Sequence, residues 1–349
     1  MRIAQVAPLF ESVPPQLYGG TERVVSYLTE ELVRQGHKVT LFASGDSVTR
    51  AELVPICPQA LRLDPQCIDQ LSRQILMLEQ VFRDAESFDV VHFHIDYLHF
   101  PLSRRNRINN VTTLHGRLDI PDLVPLYQEF AEMPVVSISH AQRTPLPWLN
   151  WVANVYHGLP EDIFTFRSEP GKYLVYVGRI SPEKRVDRCI EIARRVGMPI
   201  KIAAKVDRAD LEYHRRVIEP LFQDPLVEYV GEVNQRENDE LIGNAFAFLF
   251  PIDWPEPFGL VMIEAMACGT PVIAYPHGSV PEVMVDGQTG FVVRSEAEAV
   301  RALEKISHLR RVACRRVFEE RYTASRMAEE YLGVYAQLQE HKIESELAS

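Results

Sequence analysis

Short apolar runs alternate with amphipathic stretches from one end of the chain to the other, which predicts an α/β protein built on parallel sheets. Ile3 to Ala7 reads as a strand, and Thr21 to Gln35 as a helix with Val24, Val25, Leu28, Leu32 and Val33 on one face. Gly36 stops that helix, and Lys38 to Ala43 is the next strand. Further strands are predicted at Asp89 to His94, Val111 to Leu114, Val135 to Ile138 and Val152 to Tyr156. After a polar stretch, Glu161 to Gly171, the pattern restarts. Strands then fall at Tyr173 to Val177, Ile200 to Ala204, Val227 to Val230, Ala247 to Phe250 and Val272 to Ala274. Helices fall between them at Arg185 to Val196, Asp239 to Asn244 and Glu264 to Cys268. A last helix, about Ser325 to Glu340, carries Met327, Tyr331, Val334, Tyr335 and Leu338 on one face. The expected organisation is two Rossmann-like α/β domains, residues 1–160 and 161–324, followed by a closing segment, 325–349. Ligands of open α/β sheets bind at the C-terminal ends of the strands, so two such sheets facing each other would share a cleft.

Composition narrows the function. The 349 residues suffice for two ordinary domains, and 46% hydrophobic with 24% charged content is that of a soluble globular chain. A net charge of −11 argues against a nucleic-acid partner and limits any membrane contact to a peripheral one. One local exception is Arg104-Arg105-Asn106-Arg107, read as a solvated loop or a contact to an acceptor or lipid headgroup. The first apolar run, Ile3 to Phe10, lacks a small-residue cleavage site, and no run approaches the ~18 residues of a membrane span. Five scattered cysteines with no CxxC spacing suggest free thiols in a cytoplasmic protein.

The most informative stretch runs from Glu256-Pro257-Phe258-Gly259 to Cys268-Gly269. Two carboxylates eight positions apart bracket a glycine turn that opens a helix. The first-turn N–H groups of Gly259, Leu260 and Val261 are suited to an anion such as a diphosphate. Glu264, about one turn in, can accept hydrogen bonds from a vicinal diol such as a ribose, and Glu256 could orient sugar hydroxyls. Solvated glutamates flanking a buried helix are the plainer reading. In Gly178-Arg179-Ile180-Ser181-Pro182-Glu183-Lys184, a strand ends and a helix is expected to open near Glu183. Arg179 and Lys184 together suit a diphosphate, and ion pairs to Glu183 and Asp187 are the alternative. Gly19 and Gly20 precede the first helix, where paired glycines permit positive φ and close backbone approach to a phosphate or sugar. This is not GxGxxG, and the strand Lys38 to Ala43 ends without a ribose-binding acid, so a dinucleotide oxidoreductase is disfavoured. His115, at a strand end, could bond a sugar hydroxyl or serve structure alone. His92 and His94 share one strand face with Asp96 nearby, which falls short of a metal ligand set.

Together these stretches resemble the retaining, nucleotide-sugar-dependent glycosyltransferases of family 4, which have the GT-B fold. The matching pieces are Gly19 to Glu22, Asp89 to His92, His115, Gly178-Arg179 with Glu183-Lys184, the Glu256/Glu264 pair, and Val280-Pro281-Glu282 through Gly287 and Gly290. The resemblance implies that Arg179 and Lys184 balance a leaving diphosphate and that Glu264 holds the nucleotide ribose. It implies that backbone around Gly231 to Val233 meets the base, and that Phe258 and the Gly259 to Val261 amides adjoin sugar and phosphate. Glu256 and His115 would orient the donor sugar, with Gly19 and Gly20 beside it, and the C-terminal helix would cross back to brace the first domain. The implied reaction is glycosyl transfer from a nucleoside-diphosphate sugar, UDP-sugar foremost, to a hydroxyl acceptor with retention at the anomeric carbon, without metal or other cofactor. The acceptor would be a saccharide, a lipid-linked sugar or a small molecule. A non-catalytic sugar-nucleotide-binding subunit and a GT-B sugar-nucleotide epimerase are the alternatives.

Three features depart from the family pattern. His277 stands in the donor loop His277-Gly278-Ser279-Val280-Pro281-Glu282, where a second glycine is usual. Lys205 follows the strand Ile200 to Ala204 in place of a glycine, as a third cation for the donor or a surface lysine. The Val13-Pro14-Pro15 loop before Gly19 is long, and its prolines would stiffen the acceptor side.

Overall fold

A computed structural model describes every residue except Tyr18 and Ser349, and the backbone alone of residues 341–348. Tyr18 of the Gly-Gly loop and the last residue of the predicted 325–349 segment thus lie outside the described residues. The chain divides into two compact units, Met1–Gly158 with Ala324–Ser349, and Leu159–Thr323.

The first unit is a seven-stranded parallel sheet in the order β3-β2-β1-β4-β5-β6-β7. Its strands are β1 (Arg2–Val6), β2 (Lys38–Ala43), β3 (Glu52–Pro55), β4 (Val90–Phe93), β5 (Asn110–Thr113), β6 (Val135–Ser137) and β7 (Trp151–Asn154). Its helices are α1 (Gly20–Arg34), α2 (Gln70–Asp84), α3 (Phe100–Asn106) and α4 (Leu123–Glu129). Every residue of β4 and β5 is buried, as expected of strands covered on both faces. Strand order reverses between β1 and β4, so the C-terminal ends of these two strands form the switch point at which such sheets bind ligands.

The second unit repeats this plan with six parallel strands ordered β10-β9-β8-β11-β12-β13. They are β8 (Leu174–Arg179), β9 (Ile200–Lys205), β10 (Val227–Gly231), β11 (Ala247–Phe250), β12 (Val272–Ala274) and β13 (Gly290–Val292). Its helices are α5 (Val186–Val196), the single turn α6 (Leu211–Tyr213), α7 (Gln235–Gly243), α8 (Leu260–Cys268), α9 (Val280–Val283), α10 (Glu296–Lys305) and α11 (Arg311–Arg321). The switch point here lies between β8 and β11. The chain ends in α12 (Ala324–Ala348), which packs with α1 in the first unit.

Several boundaries differ from the sequence expectations. The helix expected to open near Glu183 begins at Val186, because Pro182–Lys184 form a 3-10 turn and Arg185 is left-handed with φ 55°. The helix expected from Asp239 begins at Gln235, where Asn234 and Glu237 form a reciprocal capping box. The helices α2, α3, α4, α6, α9, α10 and α11 and the strands β3 and β13 are not among the elements expected from the sequence. The arginine cluster is no loop: Arg104 and Arg105 lie in α3, and Arg104 forks onto Glu129 and Glu132, which absorb its charge. The cysteines are free thiols, four of them buried.

Candidate active site

In the second unit the site grows from the two strands at the switch point. β8 delivers Arg179 at its last position, and β9 pairs with it so that Lys205 lies directly alongside. Both cations converge on one acid in the loop after β9: Asp207 accepts from Lys205 Nζ at 2.8 Å and from Arg179 Nη1 at 3.3 Å. Arg179 Nη2 also reaches Glu183 at 2.8 Å. The ion pair weighed above for Glu183 therefore forms, whereas Asp187 pairs with Arg185. Glu183 and Asp207 both sit below the usual carboxylate range; burial works against this, and hydrogen bonds and the neighbouring cations outweigh it.

Lys184 follows on the 3-10 turn and forms an ion pair with Glu256, which comes from the loop after β11. Glu256 Oε2 also accepts from Trp254 Nε1 at 3.0 Å, and the Lys184 ammonium lies 4.6 Å from the Trp254 ring centroid. The two side chains are only 13% and 12% exposed. An ion pair this sheltered costs desolvation, which its extra hydrogen bond and cation–π contact partly offset. Sequence reasoning named Lys184 and Glu256 separately; fold topology makes them one element.

The loop carrying Glu256 is held by the segment before α9. Ser279 N–H donates to Glu256 O at 2.9 Å, and Ser279 Oγ donates to Phe258 O at 2.7 Å. Gly278, at φ 58°, passes so close that a Cβ would lie 2.3 Å from Glu256 N and O. Glycine is obligatory there on both counts. His277 Nε2 lies 3.8 Å from Asp253, whose carboxylate also takes Arg185 and Arg188.

Gly259 opens α8 in the left-handed conformation with φ 79°, and no side chain caps the helix. The helix is apolar and buried from Met262 to Cys268 because it lies in the core of its unit. Glu264 is the one charged residue in it, 5% exposed, and its Oε2 accepts from Asn238 Nδ2 of α7 at 3.1 Å. It is neither of the solvated glutamates of the plainer reading. Val233 lies half-buried between β10 and α7, just beyond Gly231.

The first unit places Gly19, Gly20 and His115. The positive φ expected of the glycines is absent: Gly19 is extended at φ 166°, and Gly20 is the first residue of α1. What requires glycine at 19 is space, since a Cβ would lie 2.8 Å from the Pro15 Cβ of the preceding proline loop. His115 follows β5 and enters a chain of side chains that sequence reasoning did not foresee. Its Nε2 lies 2.9 Å from His94 Nδ1, and His94 Nε2 lies 2.8 Å from Gln5 Oε1. Gln5 Nε2 donates to Tyr335 Oη at 3.2 Å, Tyr335 Oη is 2.7 Å from His92 Nδ1, and His92 Nε2 is 2.7 Å from Thr113 Oγ1. Thr113 in turn meets Tyr331 Oη at 2.7 Å. Burial holds His92, His94 and His115 neutral, with His115 pushed down to about 3. Both ring nitrogens of His92 and of His94 are thereby engaged by protein groups. Asp96, with φ 51°, accepts the His115 backbone N–H, and burial pushes its carboxyl up to about 6. Visible signals for this chain were Gln5 inside an apolar run and Tyr331 and Tyr335 one turn apart on the last helix.

Two doubly wound α/β units, each with a reversal of strand order, have the GT-B architecture. The family pattern for glycosyltransferase family 4 matches residues 18–158, and that for glycosyl transferases group 1 matches residues 161–322. The chain belongs to the family 4 glycosyltransferases. It is 25% identical over 346 residues to the alpha-maltose-1-phosphate synthase of Mycolicibacterium smegmatis, spanning 86% of this chain and 87% of that protein. It is 25% identical over 309 residues to the N-acetyl-alpha-D-glucosaminyl L-malate synthase of Bacillus anthracis, spanning 78% and 80%. Among solved structures, a glycosyltransferase involved in avilamycin A biosynthesis matches with a TM-score of 0.75 and 23% identity, covering 97% of this chain and 98% of that one. Anabaena HepE, solved in complex with UDP and glucose, matches with a TM-score of 0.74 and 17% identity, covering 97% and 100%. Among the described residues no helix is long and apolar enough to cross a membrane.

Proposed function

We propose that this glycosyltransferase moves a hexosyl group from a nucleoside-diphosphate sugar, a UDP-sugar foremost, to a hydroxyl of a saccharide, lipid-linked sugar or small molecule. The anomeric configuration is retained, and neither metal nor other cofactor takes part. The observation that carries this reading is the sheltered Lys184–Glu256 pair at the β8/β11 switch point, with Arg179 and Lys205 alongside. An ammonium has three donors, so Lys184 can keep Glu256 and still meet a phosphate oxygen. The cations, with the N-terminal amides of α8 at Gly259, Leu260 and Val261, oppose the charge that develops on the leaving diphosphate. Glu264, oriented by Asn238, takes the ribose hydroxyls, and the backbone at Val233 meets the base. In the second unit Glu256 receives a sugar hydroxyl and Phe258 adjoins the sugar; in the first unit His115 is the residue for a sugar hydroxyl, with Gly19 and Gly20 as the backbone that approaches it. The HepE structure in complex with UDP and glucose supports a uridine nucleotide here.

Chelator-treated enzyme is expected to keep full activity and to give a product whose anomeric proton signal matches that of the donor. An inverted product, or activity lost to EDTA and restored by Mg²⁺ or Mn²⁺, would overturn the mechanism. Glu264→Gln is expected to weaken UDP binding by about 10- to 100-fold with the fold intact, since a charge-assisted bond contributes roughly 1.5–3 kcal/mol. Calorimetry showing unchanged affinity would remove Glu264 from the ribose site. A thermal-shift panel of UDP-, GDP- and ADP-sugars identifies the donor base, because a ligand at a hundred times its Kd stabilises by about 2.7 kcal/mol.

A further inference from the structure

The hydrogen-bonded chain in the first unit ends on an atom without a partner. His115 Nδ1 is buried and has no hydrogen-bond partner, while its Nε2 is held by His94. Tautomers along the chain are linked, because a neutral imidazole donates from one nitrogen and accepts at the other. With Gln5 Nε2 donating to Tyr335, Gln5 Oε1 must accept from His94 Nε2–H. His94 Nδ1 then accepts from His115 Nε2–H, and His115 Nδ1 is left as a bare lone pair. Turning the Gln5 amide over would reverse every link and leave a buried N–H without an acceptor, an arrangement rarer in proteins than an unpaired acceptor.

We propose that Gln5 and His94 are positioning residues that hold His115 in its Nε2–H tautomer, so that Nδ1 meets the substrate as a hydrogen-bond acceptor for a sugar hydroxyl. The proposal rests on the assignment of His115 to a sugar hydroxyl made above. Tyr335 anchors the far end of the chain, which gives the C-terminal helix a chemical role: it selects the tautomer from three side chains away. Asp96 holds the His115 backbone N–H, and the His157 ring lies 5.2 Å away in a stacked orientation, so both backbone and ring are restrained. An acceptor at this point selects a substituent that can donate. A hydroxyl satisfies it, whereas fluorine or hydrogen does not.

The test uses the full-length protein with 15N-labelled histidine rings. Long-range proton–nitrogen spectra are expected to show His115 protonated at Nε2 and bare at Nδ1. His94→Leu removes the acceptor for Nε2–H and is expected to give mixed or reversed protonation, with kcat/KM falling on the order of tenfold. His94→Gln offers an amide oxygen to His115 and an amide N–H to Gln5, and is expected to restore both the tautomer and most of the activity. His115 protonated at Nδ1 in the wild type, or a tautomer unmoved by His94→Leu, overturns the relay. Wild-type transfer by His115→Ala, with the tautomer as stated, overturns the sugar contact and leaves the relay standing.

Discussion

Lys184→Ala is expected to lower kcat/KM by on the order of a hundredfold or more, about 2.7 kcal/mol of transition-state stabilisation. The ammonium is held beside Trp254 by Glu256, so it is aimed before substrate arrives and pays little reorganisation when charge develops on the leaving group. Removing it has a second effect: Glu256 loses its cation in a sheltered position, where an unpaired charge is costly. The two effects separate in a double-mutant cycle with Glu256→Gln. If Lys184 served only to neutralise Glu256, the double variant would match Glu256→Gln alone. A loss beyond that of Glu256→Gln alone assigns the charge to the donor. Near wild-type turnover by Lys184→Ala itself would remove it from the donor site.

Gly278→Ala is expected to destabilise the protein by about 2–5 kcal/mol, as left-handed strain and overpacking add, and to reduce kcat/KM at least tenfold in what still folds. A Cβ at 278 would lie 2.3 Å from Glu256 N and O and 2.7 Å from the Pro255 carbonyl carbon, all of them backbone atoms that no side-chain rotation can move aside. The Glu256 loop must shift, and the Lys184 partner with it. Gly287→Ala is the matched control. Its φ is 74°, and nothing lies within 4 Å of the added carbon, so it carries strain alone. It is expected to cost about 1–2 kcal/mol and leave kcat/KM unchanged. Chemical denaturation and steady-state kinetics on both variants check the contrast. Equal behaviour of the two would mean that contact with the Glu256 backbone is irrelevant to activity.

Much of the architecture was legible in the chain because parallel strands buried on both faces must be short continuous apolar runs. Ala247 to Phe250 and Lys38 to Ala43 were read to the residue. The helices α2 and α4 were missed. α2 has an apolar periodicity like that of α1, but Leu71, Ile75 and Leu76 are exposed and Gln74 is buried, so which of its positions face the core is set by neighbours distant in sequence. At the site, residue types at fixed spacing sufficed to single out Arg179, Lys184, Glu256 and Glu264. Local chemistry, an uncapped glycine-opened turn and paired cations, is a property of a few consecutive residues. By itself the sequence determined two α/β units, the succession of most of their strands along the chain, and candidate residues for an anion site in one of them.

Pairing was decided only by the tertiary structure. Lys184 and Glu256 are 72 residues apart and meet because β8 and β11 are neighbours in the sheet. Lys205 joins Arg179 because β8 and β9 pair in register. Gln5, His94 and His115 come from three strand ends, and Tyr335 from a helix 330 residues after Gln5. A histidine's tautomer depends on which partner each nitrogen finds, and no periodicity or spacing encodes a partner that distant. Gly19 makes the same point in reverse: the sequence marked it as a glycine to explain, but the reason was the nearby proline loop and not its backbone angle.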